Sequence, residues 1–273
     1  MKVYVQAILL LVVFWNVENF FEDKPYFTRK CNGIAKTVFK IADRYSAMPD
    51  VIALAEVGNR DVLVKLLYRT SLSKFGYGIV HYDSPDRRGI DCALLYRKSS
   101  VKVSGSRPCH ITDSAGNIVR TRDILLVETD SVAFLVNHHP SKIGKDSEYT
   151  RRLAMERMTS ICDSLEAEGR REILCVGDFN DTLWGKSAKG TIKYNGCWQK
   201  IDGYFERGLI VSEEVFDAPH LSGEDRRFGG LKPLRTFSGP RYLGGISDHY
   251  PIVLEVMSER DAEKKAECRF PGK

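Results

Sequence analysis

The chain alternates short continuous apolar runs with stretches of helical spacing, and this separates sheet strands from covering helices. Leu9 to Val17 is a continuous run of Val, Leu and aromatics, which predicts a strand buried on both faces. Thr28 to Met48 puts Ile34, Val38, Ile41 and Tyr45 on one stripe, predicting a helix that Pro49 closes. Asp50 to Val57 reads as a second buried strand, and Asn59 caps a second amphipathic helix through Phe75.

Shorter strands follow at Tyr77–Tyr82, Asp91–Tyr96, Ser99–Ser104, Ile124–Thr129 and Val132–Asn137. Gly and Pro punctuate them in the rhythm of antiparallel meanders. A third helix spans Glu148 to Glu168, with Leu153, Met158, Ile161 and Leu165 inward. Beyond it lie a strand at Glu172–Val176, an exposed loop from Asp181 to Gly196 and a strand at Ile201–Phe205. The segment from Asp217 to Gly245 reads as a long loop made basic by Arg226, Arg227, Lys232, Arg235 and Arg241. Ile252–Met257 is the last strand, and Glu259–Lys273 is a polar tail.

The candidate chemistry sits where the apolar runs stop. Gly177-Asp178-Phe179-Asn180 delivers an acid and an amide to a strand end, with Phe179 turned to the core. Asn16 and Glu18 leave the first strand on one side, and Glu56 ends the second as an isolated carboxylate that suits a cation. Asn137-His138-His139 ends another strand, where alternation sends the two histidines opposite ways. Arg87 and Arg88 are adjacent guanidiniums beside a glycine and suit phosphate oxygens. Each feature alone has a plainer explanation: an Asx turn, a polar strand end, a salt bridge or a surface turn.

Composition narrows the class. The 273 residues, 43% hydrophobic, fit a single domain over 1–273 with its core at about 9–257, two small domains being the alternative. A net charge of +5 is compatible with a phosphate-bearing substrate but far from that of a nucleic-acid coating protein. Seven scattered cysteines without a CxxC pair suggest neither a zinc site nor a disulfide framework. The apolar run Val3–Phe14 after Lys2 has the look of an export signal, yet it is too short to span a bilayer and reads better as the first core strand. Cytoplasmic and exported locations both stay open, and no protein partner can be read.

In order, Trp15-Asn16-Val17-Glu18-Asn19, the Glu56 strand end, Val136-Asn137-His138, Gly177-Asp178-Phe179-Asn180, Ile201-Asp202 and Ser247-Asp248-His249-Tyr250-Pro251 resemble the endonuclease/exonuclease/phosphatase superfamily. That resemblance implies the DNase I-like fold: a four-layer α/β/β/α sandwich of two mostly antiparallel sheets with helices outside. It makes Glu56 the principal ligand of a divalent cation, usually Mg2+ with Mn2+ or Ca2+ as alternatives, and puts Asn16 beside it. Asp248 and Glu18 would serve a second cation. Asp178 and Asn180 would handle water and phosphate, and His249, oriented by Asp202, the scissile group. His138 would be the second histidine, and Arg87, Arg88, His139 and Asn180 would contact substrate. Leu54-Ala55 departs from the many members with Gln before the glutamate, and His139-Pro140-Ser141 is closer to bacterial members of unassigned substrate.

The expected activity is therefore metal-dependent hydrolysis of a phosphodiester, nuclease-like, by in-line attack of water. A phosphatase or phospholipase-like enzyme on a small or lipid phosphate is the alternative, and a noncatalytic module of the same fold a third reading.

Overall fold

The computed structural model describes residues 9–22, 26–142, 147–181, 189–260 and 262. In chain order they form β1 (Leu9–Phe20), α1 (Phe27–Tyr45), β2 (Val51–Val57), α2 (Arg60–Tyr68), β3 (Tyr77–His81), β4 (Asp91–Arg97), β5 (Val103–Cys109), β6 (Ile124–Thr129) and β7 (Ala133–His138). Then come α3 (Ser147–Ala167), β8 (Ile173–Asp178), β9 (Ile192–Tyr194), β10 (Cys197–Gln199), β11 (Asp202–Arg207) and β12 (Leu209–Val215). Four short strands, β13 (Ser222–Glu224), β14 (Leu231–Pro233), β15 (Phe237–Ser238) and β16 (Arg241–Tyr242), precede β17 (Ile252–Ser258).

Six strands in the order β12-β17-β1-β2-β4-β3 make one sheet, and five in the order β11-β8-β7-β6-β5 make the other. Only β1–β2 and β7–β8 pair in parallel within them. Alternation along the strands builds the layers. Phe134 and Val136 of β7 join Leu174 and Val176 of β8 in the core shared with β1 and β2. Their neighbours Leu135, Ile173 and Cys175 pack outward against Met158, Ile161 and Leu165 of α3. On the far side, Ile34, Val38 and Ile41 of α1 and Val62, Leu63 and Leu66 of α2 bury against the six-stranded sheet. The result is the four-layer α/β/β/α sandwich. Leu10 to Phe14, near the start of the chain, are buried in a central strand.

The elements depart from their expected bounds for local reasons. The second helix stops at Tyr68, because Thr70 accepts from the Leu72 N–H and starts a separate 3-10 turn over Ser71–Phe75. The strand expected at Ser99–Ser104 begins later, at Val103, since the Ser100 and Val101 N–H groups close a turn onto the Arg97 carbonyl. Pro108 is tolerated in β5 because that strand is a sheet edge. β12, also an edge, was not legible behind its two glutamates. The basic loop from 217 to 245 carries a 3-10 turn and two small hairpins. Of the loop expected at 181–196, residues 182–188 lie outside the described ones, as do most of the tail and residues 1–8. No helix among the described residues is long and apolar enough to cross a membrane.

Candidate active site

One end of the sandwich gathers the polar strand ends. The five-stranded sheet contributes three side chains in a row, because His138 is in register with Asp178, and Asp178 with Asp202. Residues opposite one another share a face. Gly177 makes the close pairing possible, as a Cβ there would lie 2.5 Å from the Asn137 carbonyl oxygen. Phe179 is buried edge-on between His139 and Phe205 and anchors the turn.

The six-stranded sheet answers with Asn16, Glu18 and Glu56. The β1–β2 register slips between Asn16 and Phe20, a bulge that re-aims the side chains at the strand end. The 247–249 segment is tied to β1 by Trp15 Nε1 donating to the His249 carbonyl (2.9 Å) and Ser247 Oγ donating to the Asn16 carbonyl (2.6 Å).

At the centre, Asp178 Oδ2 accepts from Asn16 Nδ2 at 3.1 Å and Oδ1 accepts from the Asn180 N–H at 3.0 Å. His138 Nε2 lies 3.7 Å and His249 Nε2 3.9 Å from the same Oδ2. Burial, then the charge of Asp202, pushes the Asp178 carboxyl up to about 7. Burial would lower His249, but Asp202, whose Oδ2 lies 2.8 Å from Nδ1, and then Asp178 and Asp248 raise it well above the usual imidazole range. His138 goes the other way, because burial and the nearby Arg122 hold it well below that range. The cluster therefore pairs one imidazolium with one neutral imidazole around a carboxyl that titrates near neutrality.

Glu56 stands 4.0 Å from His138 Nε2, with its other oxygen accepting from the Asn19 N–H at 2.8 Å. Arg88 reaches 3.5 Å from that oxygen and donates to Asn19 Oδ1. Asn16 Oδ1 accepts the Glu18 N–H at 3.0 Å and keeps a second lone pair. Hard oxygen donors facing a shared cavity fit a hard divalent cation. A compact cluster of ligand-type side chains is also formed by Asp178, Asp202 and His249.

Asn16, Glu18, Glu56, His138, Asp178, Asn180, Asp248, His249 and Arg88 all line one cavity of about 520 Å3, while Asp202 stands behind His249. Two expected substrate contacts lie off it. Arg87 is exposed outside the lining, since the turn presents only its neighbour inward. The His139 ring points to the α3 side, as strand alternation requires, and burial holds it down at about 3. Only its carbonyl serves the site, by accepting from Asn180 Nδ2 at 2.8 Å. Glu18, expected as a cation ligand, has both oxygens engaged: Oε1 by Arg235 Nε at 2.9 Å and Oε2 by the Thr236 N–H at 2.8 Å. Arg235 also reaches Asp248 at 3.1 Å.

Arg235, Arg122 and Lys30 were not singled out as site residues. Arg235 was visible only as one charge among five in its loop. Arg122 is buried and donates to the carbonyls of His138 and His139. Lys30 lies on α1 and is lowered to about 8, by burial first and against the pull of Glu18. A lone lysine on a helical stripe carries no sequence signal of that placement.

Among curated protein sequences none matches this chain. Solved structures match it at low identity and establish the fold. An endonuclease/exonuclease/phosphatase family protein from Bacteroides thetaiotaomicron superposes with a TM-score of 0.62 at 14% identity, over 93% of this chain and 100% of that one. The TDP2 of D. rerio complexed with single strand DNA product gives 0.58 at 15%, over 92% and 99%. The human Nocturnin catalytic domain with bound sulfate gives 0.59 at 15%, over 92% and 93%. The sequence profile of the Endonuclease/Exonuclease/phosphatase family matches residues 22–207 and 186–258. Fold, ordered motifs and profile agree, and the chain belongs to the endonuclease/exonuclease/phosphatase family of phosphate-ester hydrolases.

Proposed function

We propose that the chain hydrolyses a phosphodiester of nucleic-acid type with a single divalent cation, Mg2+ in the first instance. The observation that carries this reading is the convergence of Glu56, Asp178 and His249, from both sheets and the 247–249 segment, on one cavity. The cation would be held by Glu56 with Asn16 beside it, and would supply charge stabilisation to the phosphate oxygens. Mn2+ or Ca2+ could replace it, since the donors are hard oxygens.

The chain's own residues divide the remaining work. Asp178 accepts a proton from the attacking water, a task suited to a carboxyl near 7. His249, oriented through Nδ1 by Asp202, presents a charged N–H to the oxygens on which negative charge grows. His138 stays neutral and fills the floor beside Asp178. Asn180 lines the cavity beside Asp178 and bears on the phosphate, its amide nitrogen tied to the His139 carbonyl. Arg88 and Lys142 give the rim positive charge. Tyr194, at the cavity edge, and Trp198, on the same hairpin, offer exposed rings of the kind on which bases stack. The single strand DNA product in the D. rerio TDP2 structure belongs to that protein and supports a polymeric phosphate here.

A second cation would need Glu18 and Asp248, which share Arg235 between them. The test is turnover by purified protein with Mg2+ of single-stranded DNA, duplex DNA, RNA and a panel of small and lipid phosphate esters. Polymer cleavage lost in EDTA is expected. Preference for a small or lipid ester would shift the substrate, and no turnover of any would overturn the reading.

A further inference from the structure

Beside the catalytic cavity lies another of about 540 Å3, between the start of α1 and the 236–240 segment, and the two share Glu18 and Asn19. Its walls are aromatic, formed by Phe21, Tyr26, Phe27 and Phe237. Tyr26 stacks on Tyr242 with ring centroids 3.7 Å apart and is still half exposed. Nothing in the hydrolytic machinery uses these rings.

The inner end of the pocket is polar. Lys30 is only 7% exposed, and its ammonium donates to the Glu18 carbonyl and to Thr236 Oγ1 at 2.9 Å. An ammonium has three N–H donors, so these two described bonds leave one to be met. The pocket thus combines flat apolar walls with a buried donor, next to the place where a phosphate would lie.

We propose that this pocket is a substrate subsite that receives a nucleobase of the ester whose phosphate lies in the adjoining cavity, a reading that rests on the phosphoesterase assignment above. A base offers faces for Phe237 and Tyr26 to stack on and a carbonyl or ring nitrogen to accept from Lys30. An acyl chain would satisfy the walls but bury the remaining Lys30 N–H against carbon. The shared Glu18 and Asn19 make the base and the phosphate neighbours in one bound molecule.

The test is calorimetric binding of thymidine 5′-monophosphate, inorganic phosphate and octyl phosphate to the Mg2+-loaded protein, its Phe237→Ala variant and its Tyr26→Ser variant. The nucleotide is expected to bind more tightly than phosphate, and each substitution to weaken nucleotide binding about ten-fold. Phosphate affinity should stay unchanged in both variants, which also reports that the fold is intact. Equal nucleotide affinity in wild type and variants, or octyl phosphate matching the nucleotide with the same sensitivity, would overturn the subsite alone. Failure of every phosphate to bind, with no ester turned over, would remove the phosphoesterase assignment and the subsite with it.

Discussion

Replacing Arg235 by Ala tests whether a guanidinium stands where a second cation would otherwise sit. Arg235 contacts Glu18 Oε1 through Nε at 2.9 Å and through a terminal nitrogen at 2.8 Å, and Asp248 at 3.1 Å. Glu18 is 5% exposed and already raised, by burial first and then by Asp248, with Arg235 opposing both. A buried hydrogen bond to a charged partner contributes about 1.5–3 kcal/mol, but Arg235 is nearly half exposed, so the loss should be about 2 kcal/mol. That corresponds to roughly 5 °C in Tm. The sign with pH follows from the raised carboxyl. Removing the guanidinium raises Glu18 further, and a group raised on folding is stabilising below its unfolded value and loses that stability as pH rises through the folded one. The variant should therefore be more destabilised at pH 8 than at pH 5. Freed of Arg235, Glu18 and Asp248 become a cation site. Titration with Mn2+ should find one bound ion in the wild type and two in the variant, with Mg2+ restoring part of the lost Tm. Two ions in the wild type, or a variant whose Tm ignores Mg2+, would refute the argument.

Three further outcomes follow from the same geometry. Glu56→Gln should abolish Mg2+-dependent gain in Tm and lower turnover about 10²-fold or more, as read by thermal unfolding with and without EDTA and by steady-state kinetics. In EDTA, Asp178 and His249 are both raised on folding, so the wild type should lose Tm as pH climbs from about 7 to 8, above the range in which the lowered His138 and His139 gain stability with pH; Asp178→Asn should flatten part of that slope, and a Tm that rises over this range would contradict it. Arg88→Ala should raise KM for a polymeric substrate several-fold because the side chain reaches the Glu56 and Asn19 edge of the cavity, while Arg87→Ala should leave kcat and KM unchanged.

Much of the fold was legible because its strands are fully buried. Leu174 and Val176 face the other sheet while Ile173 and Cys175 face α3, so β8 has no polar alternation to misread. β12 failed for the converse reason: it is an edge, and Glu213 and Glu214 are satisfied by Lys200 and Arg44 rather than by burial. At the strand ends, alternation sent His138 and His139 opposite ways without saying which faces the cavity, and it is the His139 ring, expected at the substrate, that turns to Phe179. What periodicity cannot carry is contact between distant loops. Arg235 reaches Glu18 across more than two hundred residues because Gly245 lets its segment pack against the Leu234 carbonyl oxygen, where a Cβ would sit 1.7 Å away. Neither the partner nor the close approach leaves a local signal.

The backbone at the site explains why its side chains resist simple assignment to chemistry or structure. Glu18, Asn19, Glu56 and Asn180 all have positive φ, between 44° and 63°, and all border the cavity. For a residue other than glycine this costs on the order of 1 kcal/mol, a strain that persists only where surroundings enforce it. The enforcing groups are the site's own acceptors. Asn16 Oδ1 holds the Glu18 N–H, Glu56 Oε2 the Asn19 N–H, and Asp178 Oδ1 the Asn180 N–H. Alanine at Asn16, Glu56 or Asp178 would therefore release a strained turn as well as remove a functional group, and its rate loss would overstate the chemistry. Asp178→Asn keeps an acceptor for the Asn180 N–H and removes the titrating oxygen together with the hydrogen bond it accepts from Asn16 Nδ2. The difference in rate between the asparagine and alanine variants then measures how much of catalysis is the shape of the strand ends, and the difference between wild type and the asparagine variant how much is the Asp178 oxygen that accepts the proton and the Asn16 bond.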